Sequence, residues 1–149
     1  MAVARRCVVL DTSAIVALVC QWHEHHKQVV RVATRALNDS RGLGLVAHSL
    51  LEAYAVLTRL PAPYRLSAAD AFELLRKNFG TAKLVAPRPA EYWTLIERAA
   101  LAGVSGGRTY DALIADTAAQ LAPCDVLTLN AKHFTDSPGV TIVDLLESS

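Results

Sequence analysis

Short apolar runs alternate along the chain with longer segments in which apolar positions repeat at the helical period. The apolar runs predict buried strands at residues 6–11, 43–47, 125–130 and 140–146. The longer segments predict helices at residues 13–22, 26–37, 49–60, 67–80, 89–103 and 109–121. Strands that alternate with helices in this way are typical of an α/β protein, in which helices cover both faces of a central parallel β-sheet.

Length and composition limit the class of protein. The chain has 149 residues, of which 52% are hydrophobic, and we expect one domain over residues 1–149 with a substantial core. The formal net charge is only +1, from 15 basic and 14 acidic residues. This balance argues against a protein that binds nucleic acid through a surface that is basic throughout, although it allows a local basic rim beside an acidic pocket.

The apolar stretch near the N-terminus is too interrupted to be an export signal. Asp11 lies in its middle, and Gln21, Trp22 and His23 follow it, whereas a signal peptide needs an unbroken apolar region and small residues at the cleavage site. No run reaches the roughly 20 apolar residues of a membrane span. We therefore expect a cytoplasmic protein that does not associate with membranes.

The cysteines and glycines form none of the familiar reactive motifs. Cys7, Cys20 and Cys124 share no metal-binding spacing and lie among apolar residues, so we interpret them as small buried core residues. The glycines at positions 103, 106 and 107 do not match the phosphate-binding P-loop pattern.

The histidines have ordinary structural interpretations. In "WHEHH", residues 22–26, no second cluster and no acidic helix motif accompanies the histidines, which favours the solvent-exposed start of a helix. His133 stands alone beside Phe134, which favours a packing role. Arg108 precedes the last long predicted helix, where it fits a phosphate contact and a simple loop cation equally well.

Four polar side chains are predicted to meet at one edge of the sheet. Asp11 ends the first predicted strand and Asn130 ends the third, with Thr128 two residues earlier on the same strand face. Glu52 and Asp111 lie near the beginning of the helices that follow strands or loops. Functional groups in open parallel sheets collect at the carboxyl ends of the strands, so these side chains are expected to share one crevice.

Each of these residues except Asp11 also has a local structural explanation. Residues 49–52 read "SLLE", which is a capping-box pattern. Asp111 is favourable in a first helical turn because of the helix dipole, and Asn130 fits a turn. Asp11 is flanked by "VVL" and "AIVAL", and a carboxylate buried among apolar residues is costly unless it has a partner.

Taken together, the acids predict a metal site. Three neighbouring carboxylates repel one another unless a cation neutralises them. Carboxylates with a carboxamide oxygen suit Mg²⁺ or Mn²⁺. Zinc is disfavoured because no cysteine and no cluster of histidines belongs to this set of residues. The predicted metal ligands are Asp11, Glu52 and Asp111. Asp116 is excluded because it lies five residues beyond Asp111, about 140° around a regular helix.

Four segments carry a resemblance to a known family. "VVLDTSAIVAL", "LLEAYAVLTRL", "YDALIADTA" and "LTLNAKHF", in this order and spacing, resemble the PIN-domain ribonucleases, most closely the VapC-type toxins of bacterial toxin–antitoxin pairs. The resemblance implies a three-layer fold with a central parallel sheet flanked by helices. It implies catalytic roles for Asp11, Glu52, Asp111 and Asn130. It also implies that hydroxyl groups support these ligands without binding the metal themselves, namely those of Thr12, Ser13 and Thr128.

The resemblance also implies an activity and partners. It implies a Mg²⁺-dependent endoribonuclease that cleaves cellular RNA, inhibited by a small VapB-like antitoxin and assembled as a homodimer. A cationic side chain of the antitoxin is expected to enter the acidic crevice. The rest of the antitoxin is expected to lie as a helix on an apolar face around Leu51, Tyr54 and Leu57.

Two other functions stay open at the level of sequence. Asn130 is neutral where many family members have an acid, which leaves a catalytically weak PIN domain that only binds RNA or protein. A phosphatase of the haloacid-dehalogenase type shares the strand followed by Asp and Thr. That class needs a second acid two residues after the first, where this chain has Ser13.

Overall fold

A sheet of five parallel strands forms the centre of the protein in a computed structural model, which describes residues 5–147. The strands are β1 (Cys7–Leu10), β2 (Leu43–Val46), β3 (Lys83–Val85), β4 (Cys124–Thr128) and β5 (Val140–Asp144). They lie in the order β3-β2-β1-β4-β5. Because β2 and β4 lie on opposite sides of β1, the strand order reverses at β1, where such sheets open a crevice at their carboxyl edge.

The described part of the chain places six α-helices between these strands. They are α1 (Thr12–Val19), α2 (His26–Asn38), α3 (Ala47–Arg59), α4 (Ala68–Phe79), α5 (Glu91–Ala102) and α6 (Arg108–Ala118). Two short 3₁₀ turns follow, at Ala119–Leu121 and Ala131–His133. The predicted α/β fold with a parallel central sheet is confirmed.

Helices cover both faces of the sheet, as the strand β1 demonstrates. Val8 and Leu10 belong to a core formed with α1, α2, α3 and α4, whereas Cys7 and Val9 belong to a second core formed with α6. Successive side chains of a strand point to opposite faces, so a run of four apolar residues is buried on both sides. This explains why β1 is continuously apolar and not alternating.

The predicted helix ends are largely confirmed. Ser67 caps α4, and its hydroxyl accepts a hydrogen bond from the Asp70 amide at 3.1 Å. Gly80 follows the last residue of α4. Gly103 ends α5 with φ of 69°, a left-handed conformation that glycine adopts without steric strain. Helix α5 begins two residues after Pro89.

Two elements differ from the prediction. Strand β3 was not predicted, because it has only three residues and only Val85 of them is buried. The helix predicted over residues 13–22 ends at Val19, and a turn separates it from α2.

The three cysteines are free and buried, which confirms their interpretation as core residues. Burial raises the pKa of each thiol, and for Cys124 to about 11. Within residues 5–147, no helix is long and apolar enough to cross a membrane.

Candidate active site

Asp11 lies directly after β1, where the strand order reverses, and only 2% of the residue is exposed. It is the N-cap of α1, and its Oδ1 accepts a hydrogen bond from the Ala14 amide at 2.9 Å. The Ser13 hydroxyl donates to the same oxygen at 2.7 Å. The Thr128 hydroxyl donates to Oδ2 at 2.5 Å. Three donors therefore hold both carboxylate oxygens in a fixed orientation.

The same two hydroxyl groups connect Asp11 to the loop after β4. Ser13 Oγ accepts a hydrogen bond from the Leu129 amide at 3.1 Å, and Thr128 Oγ1 accepts one from the Asn130 amide at 2.9 Å. Each hydroxyl thus accepts from the loop and donates to the carboxylate. Ser13 and Thr128 therefore lie where a supporting role requires them.

The predicted acids line one cavity of about 280 Å³ at the carboxyl edge of the sheet. Glu52 reaches it from α3 and Asp111 from the first turn of α6, and both side chains are partly buried. Thr12 and Asn130 also contribute to the wall. The other lining residues are Asp11, Ser13, Val16, His23, Val56 and Leu129. The crevice predicted from strand ends is thus present, with no lysine or arginine among its lining residues.

Burial and mutual repulsion disfavour the ionised acids. Burial raises the pKa of Asp11, and the negative charge of Asp111 raises it further, against the lowering effect of the three hydrogen bonds. Burial also raises the pKa of Asp111, and the charge of Glu52 adds to this effect. The site therefore carries more negative charge than its surroundings stabilise.

Two histidines contact the acids. Sequence analysis predicted a packing role for His133 and no role for His48. His133 Nδ1 lies 3.1 Å from Asp111 Oδ2, so the interpretation of His133 as a packing residue was wrong; the neighbouring Phe134 is the buried one. His48 Nε2 lies 3.6 Å from Glu52 Oε2 on the same helix. The position of His133 three residues after Asn130, at the same sheet edge, was a usable signal.

His48 also links the two helices that carry the acids. Its ring stacks on Tyr110, with centroids 4.6 Å apart and an interplanar angle of 18°. Tyr110 precedes Asp111 in α6, and His48 lies one turn before Glu52 in α3. The stacked rings therefore fix the positions of Glu52 and Asp111 relative to each other.

The capping-box interpretation of residues 49–52 is wrong. Helix α3 begins at Ala47 and its N-cap is Val46, so Ser49 lies inside the helix. The Ser49 hydroxyl is buried and has no hydrogen-bond partner among the described residues. Glu52 is consequently free of a capping contact and lies in the second turn of α3, where it faces the cavity.

Of the remaining predicted positions, Asn130 and Arg108 lie at or near the cavity, whereas Asp116 makes a contact elsewhere. Asn130 lies two residues beyond β4 and lines the cavity. Arg108 is the exposed first residue of α6, and its charge lowers the pKa of Asp111. Asp116 instead forms an ion pair with Arg98 of α5 at 2.7 Å, which agrees with its exclusion from the ligand set.

The helix start predicted within residues 22–26 is present at the end of that segment, because α2 begins at His26 with His25 as its N-cap. His23, however, is not a solvent-exposed residue of that helix start. It lies in the turn between α1 and α2, is partly buried, and lines the acidic cavity. Its Nδ1 accepts a hydrogen bond from the His25 amide at 3.1 Å, and burial lowers the pKa of the imidazole.

Comparison with known proteins identifies the family. The sequence model of the PIN domain matches residues 8–136. The chain belongs to the PIN domain family. Ribonuclease VapC40 of Mycobacterium tuberculosis is 41% identical over 108 residues, which is 72% of this chain and 75% of the relative. Ribonuclease VapC27 of the same species is 36% identical over 135 residues, which is 90% of this chain and 93% of the relative.

A solved structure supports the fold of this PIN domain. VapBC-1 from nontypeable Haemophilus influenzae matches with a TM-score of 0.65 at 17% identity, over 95% of this chain and 99% of that chain. At this identity the similarity concerns the fold alone.

The acids of this PIN domain fit a divalent cation in chemistry and charge. The cavity offers carboxylate and carboxamide oxygens, which Mg²⁺ and Mn²⁺ prefer. The Thr12 hydroxyl in its wall is buried without a hydrogen-bond partner among the described residues. Within residues 5–147, however, no three acidic, histidine or cysteine side chains form a ready-made cluster for a metal ion. Glu52 and Asp111 each lie beside an imidazole instead.

Proposed function

We propose that this PIN domain is a metal-dependent endoribonuclease that cleaves cellular RNA and is the toxin of a VapBC-type pair. The observation that carries the proposal is the convergence of Asp11, Glu52 and Asp111 on one cavity at the point where the strand order reverses. The relatives named ribonucleases support the activity. Solved structures similar to this chain include a member of the VapBC family of toxin-antitoxin systems. This similarity supports the proposed biological role.

The chain's own residues divide the work in the proposed reaction. Asp11, Glu52 and Asp111 would hold Mg²⁺ or Mn²⁺, which when bound would lower the pKa of water and neutralise charge on the phosphate. Ser13 and Thr128 keep Asp11 in one orientation through their hydrogen bonds, so no reorganisation is needed at the moment of reaction.

The rim of the cavity is proposed to position the RNA. Arg108 is exposed at the beginning of α6, beside Asp111, where its guanidinium is available for a backbone phosphate. Asn130 adds a neutral oxygen where an acid would add a further charge, which weakens binding of a second cation in the free protein.

Turnover on two substrates tests this function. The purified chain is incubated with total bacterial RNA or with an aryl phosphate monoester, each with Mg²⁺ and with excess chelator. We expect new RNA ends with Mg²⁺ only, and no hydrolysis of the monoester. Monoester hydrolysis would instead support the phosphatase, which the PIN domain match disfavours. Binding of RNA without cleavage would support the weak binding module, a role compatible with Asn130 and with the absence of a ready-made ion cluster among the described residues.

The surface that we propose for the antitoxin differs from the one predicted from the sequence. Leu51 is 69% exposed, but Leu57 is fully buried in the core, so the predicted face around Leu57 was wrong. A groove of about 320 Å³ lies between α3 and α4 instead, where Leu51 and Tyr54 face Phe72, itself 60% exposed. We propose that a helix of a VapB-like antitoxin occupies this groove. The homodimer implied by the resemblance stays a prediction.

Antitoxin binding is expected to compete with the metal. The groove and the acidic cavity lie along the same helix, α3, so a peptide in the groove can place an arginine or lysine against the carboxylates. A VapB-like protein, sought in the reading frame next to the gene for this chain, is titrated against wild type and Asp11→Asn, with and without Mg²⁺. We expect weaker binding with Mg²⁺, with the variant and at high salt. Equal affinity in all conditions would place inhibition away from the acids.

A further inference from the structure

Two large aromatic side chains lie together on the surface near the cavity. The rings of Trp22 and Tyr64 have centroids 4.4 Å apart and an interplanar angle of 30°. Trp22 belongs to the turn between α1 and α2, and Tyr64 belongs to the loop between α3 and α4. Trp22 is 46% exposed and Tyr64 is 44% exposed. If the pair served only to hold two loops together, full burial of both rings would stabilise the protein most. Nearly half of each residue is instead exposed to solvent.

This aromatic shelf, defined as Trp22 and Tyr64, is continuous with the acidic cavity. The Trp22 ring lies 6.1 Å from the ring of His23, centroid to centroid, and His23 lines the cavity beside Asp11 and Glu52. A chain of adjoining rings thus leads from the acids to the exposed shelf. A single-stranded substrate with a phosphate at the acids would therefore pass this shelf if it left the cavity beside His23.

We propose that the aromatic shelf stacks a nucleobase of the RNA next to the scissile phosphate. The inference rests on the proposed ribonuclease function and adds a specific mode of substrate binding. Stacking on aromatic side chains suits unpaired bases, because bases in a duplex already have both faces covered. The shelf therefore selects single-stranded segments or loops and tolerates different base identities, since every base has a π-face.

Tryptophan fluorescence tests the shelf without any change to it. The chain has two tryptophans, so the double variant Asp11→Asn, Trp93→Phe binds RNA without cleavage and fluoresces from Trp22 alone. It is titrated with a short single-stranded RNA of randomised sequence, with the same RNA as a duplex, and with an abasic ribose-phosphate chain of equal length. We expect quenching and the tightest binding with the single strand. Equal signals and affinities for the abasic chain and the RNA would overturn the proposal.

Cleavage kinetics give an independent test with a matched control. Trp22→Ala is expected to raise KM for the single-stranded RNA about 5- to 150-fold with little change in kcat, which is the range that corresponds to the loss of one stacked base. Trp22→Phe keeps an aromatic face and is expected to remain near wild type. Trp93→Ala removes an exposed tryptophan from α5 and is expected to have no effect. Tyr64→Ala removes the other ring and is expected to raise KM as well, which covers the case that Trp22→Ala fails to fold.

The outcomes separate this inference from the proposed function. If the wild-type chain cleaves no RNA, the ribonuclease function fails, while the fluorescence titration still decides whether the shelf binds bases. If the wild type cleaves RNA and the Ala variants keep its KM, the proposal that the shelf stacks a base is wrong, and the proposed ribonuclease function is unaffected. If Trp22→Ala weakens binding of the VapB-like protein and leaves RNA binding unchanged, the shelf is a protein contact and the proposal is overturned.

Discussion

Replacing Asp11 by asparagine is expected to lower the rate of RNA cleavage by more than about a hundredfold, since even residues that only orient a metal ligand typically contribute 10–100-fold. Asp11 is the most buried of the three acids and is held by three hydrogen bonds, so no neighbouring acid can take its place. Single-turnover cleavage of a susceptible RNA, measured for wild type and variant at equal metal concentration, gives the ratio. Glu52→Gln and Asp111→Asn are expected to behave similarly.

Asp116→Asn is the matched control for these variants. Asp116 lies on the same helix as Asp111 and is paired with Arg98, so its loss is expected to leave cleavage within about twofold, as for a surface substitution. If Asp11→Asn kept its activity while Asp116→Asn lost it, the assignment of the site would be wrong.

The loss of activity in Asp11→Asn is expected to occur without loss of stability. Asparagine is as good an N-cap as aspartate for α1. Burial raises the pKa of Asp11, so the folded protein binds the proton more tightly than the unfolded chain. The stability of wild type therefore falls as the pH rises above the unfolded value of about 3.9. In thermal melts without metal, we expect the variant to be at least as stable as wild type at neutral pH, and to lose that advantage in acid.

Removal of divalent metal is expected to reduce cleavage to background, and addition of Mg²⁺ or Mn²⁺ is expected to restore it. The cavity holds three carboxylates and no lining lysine or arginine, and burial lowers the pKa of the lining His23. No permanent positive charge in its wall therefore offsets the carboxylates when RNA adds a further negative charge. The measurement is cleavage in excess chelator, followed by titration of each metal. Undiminished cleavage in chelator would rule out a metal-dependent mechanism.

A second readout separates metal binding from catalysis. An ion that binds only the folded protein raises its melting temperature, by an amount corresponding to about 2.7 kcal/mol at a hundred times Kd. We expect Mn²⁺ to raise the melting temperature of wild type and of Asp116→Asn but not that of Asp11→Asn or Asp111→Asn. An equal shift in all four proteins would locate the ion outside the cavity.

The sequence by itself determined four of the five strands and the acids at the edge of the sheet. The apolar run before Asp11 predicted a buried strand, because the side chains on both faces of such a strand are apolar. The run from Val126 to Thr128 had the same property. Since carboxyl ends of parallel strands meet at one edge, the position of each acid relative to a strand or helix was enough to bring Asp11, Glu52 and Asp111 to one cavity. No knowledge of side-chain contacts was needed.

Tertiary structure decided what depends on where a chain segment starts or how a loop folds. The pattern at residues 49–52 is the same whether it caps a helix or lies inside one, and only the direct passage of β2 into α3 at Ala47 settles the choice. His133 and His48 meet the acids through a loop and a helix–helix stack. Trp22 and Tyr64 are brought together by two loops that are far apart in sequence. Such contacts carry no periodicity, because loop side chains are placed by the elements packed around them and not by a repeating local geometry.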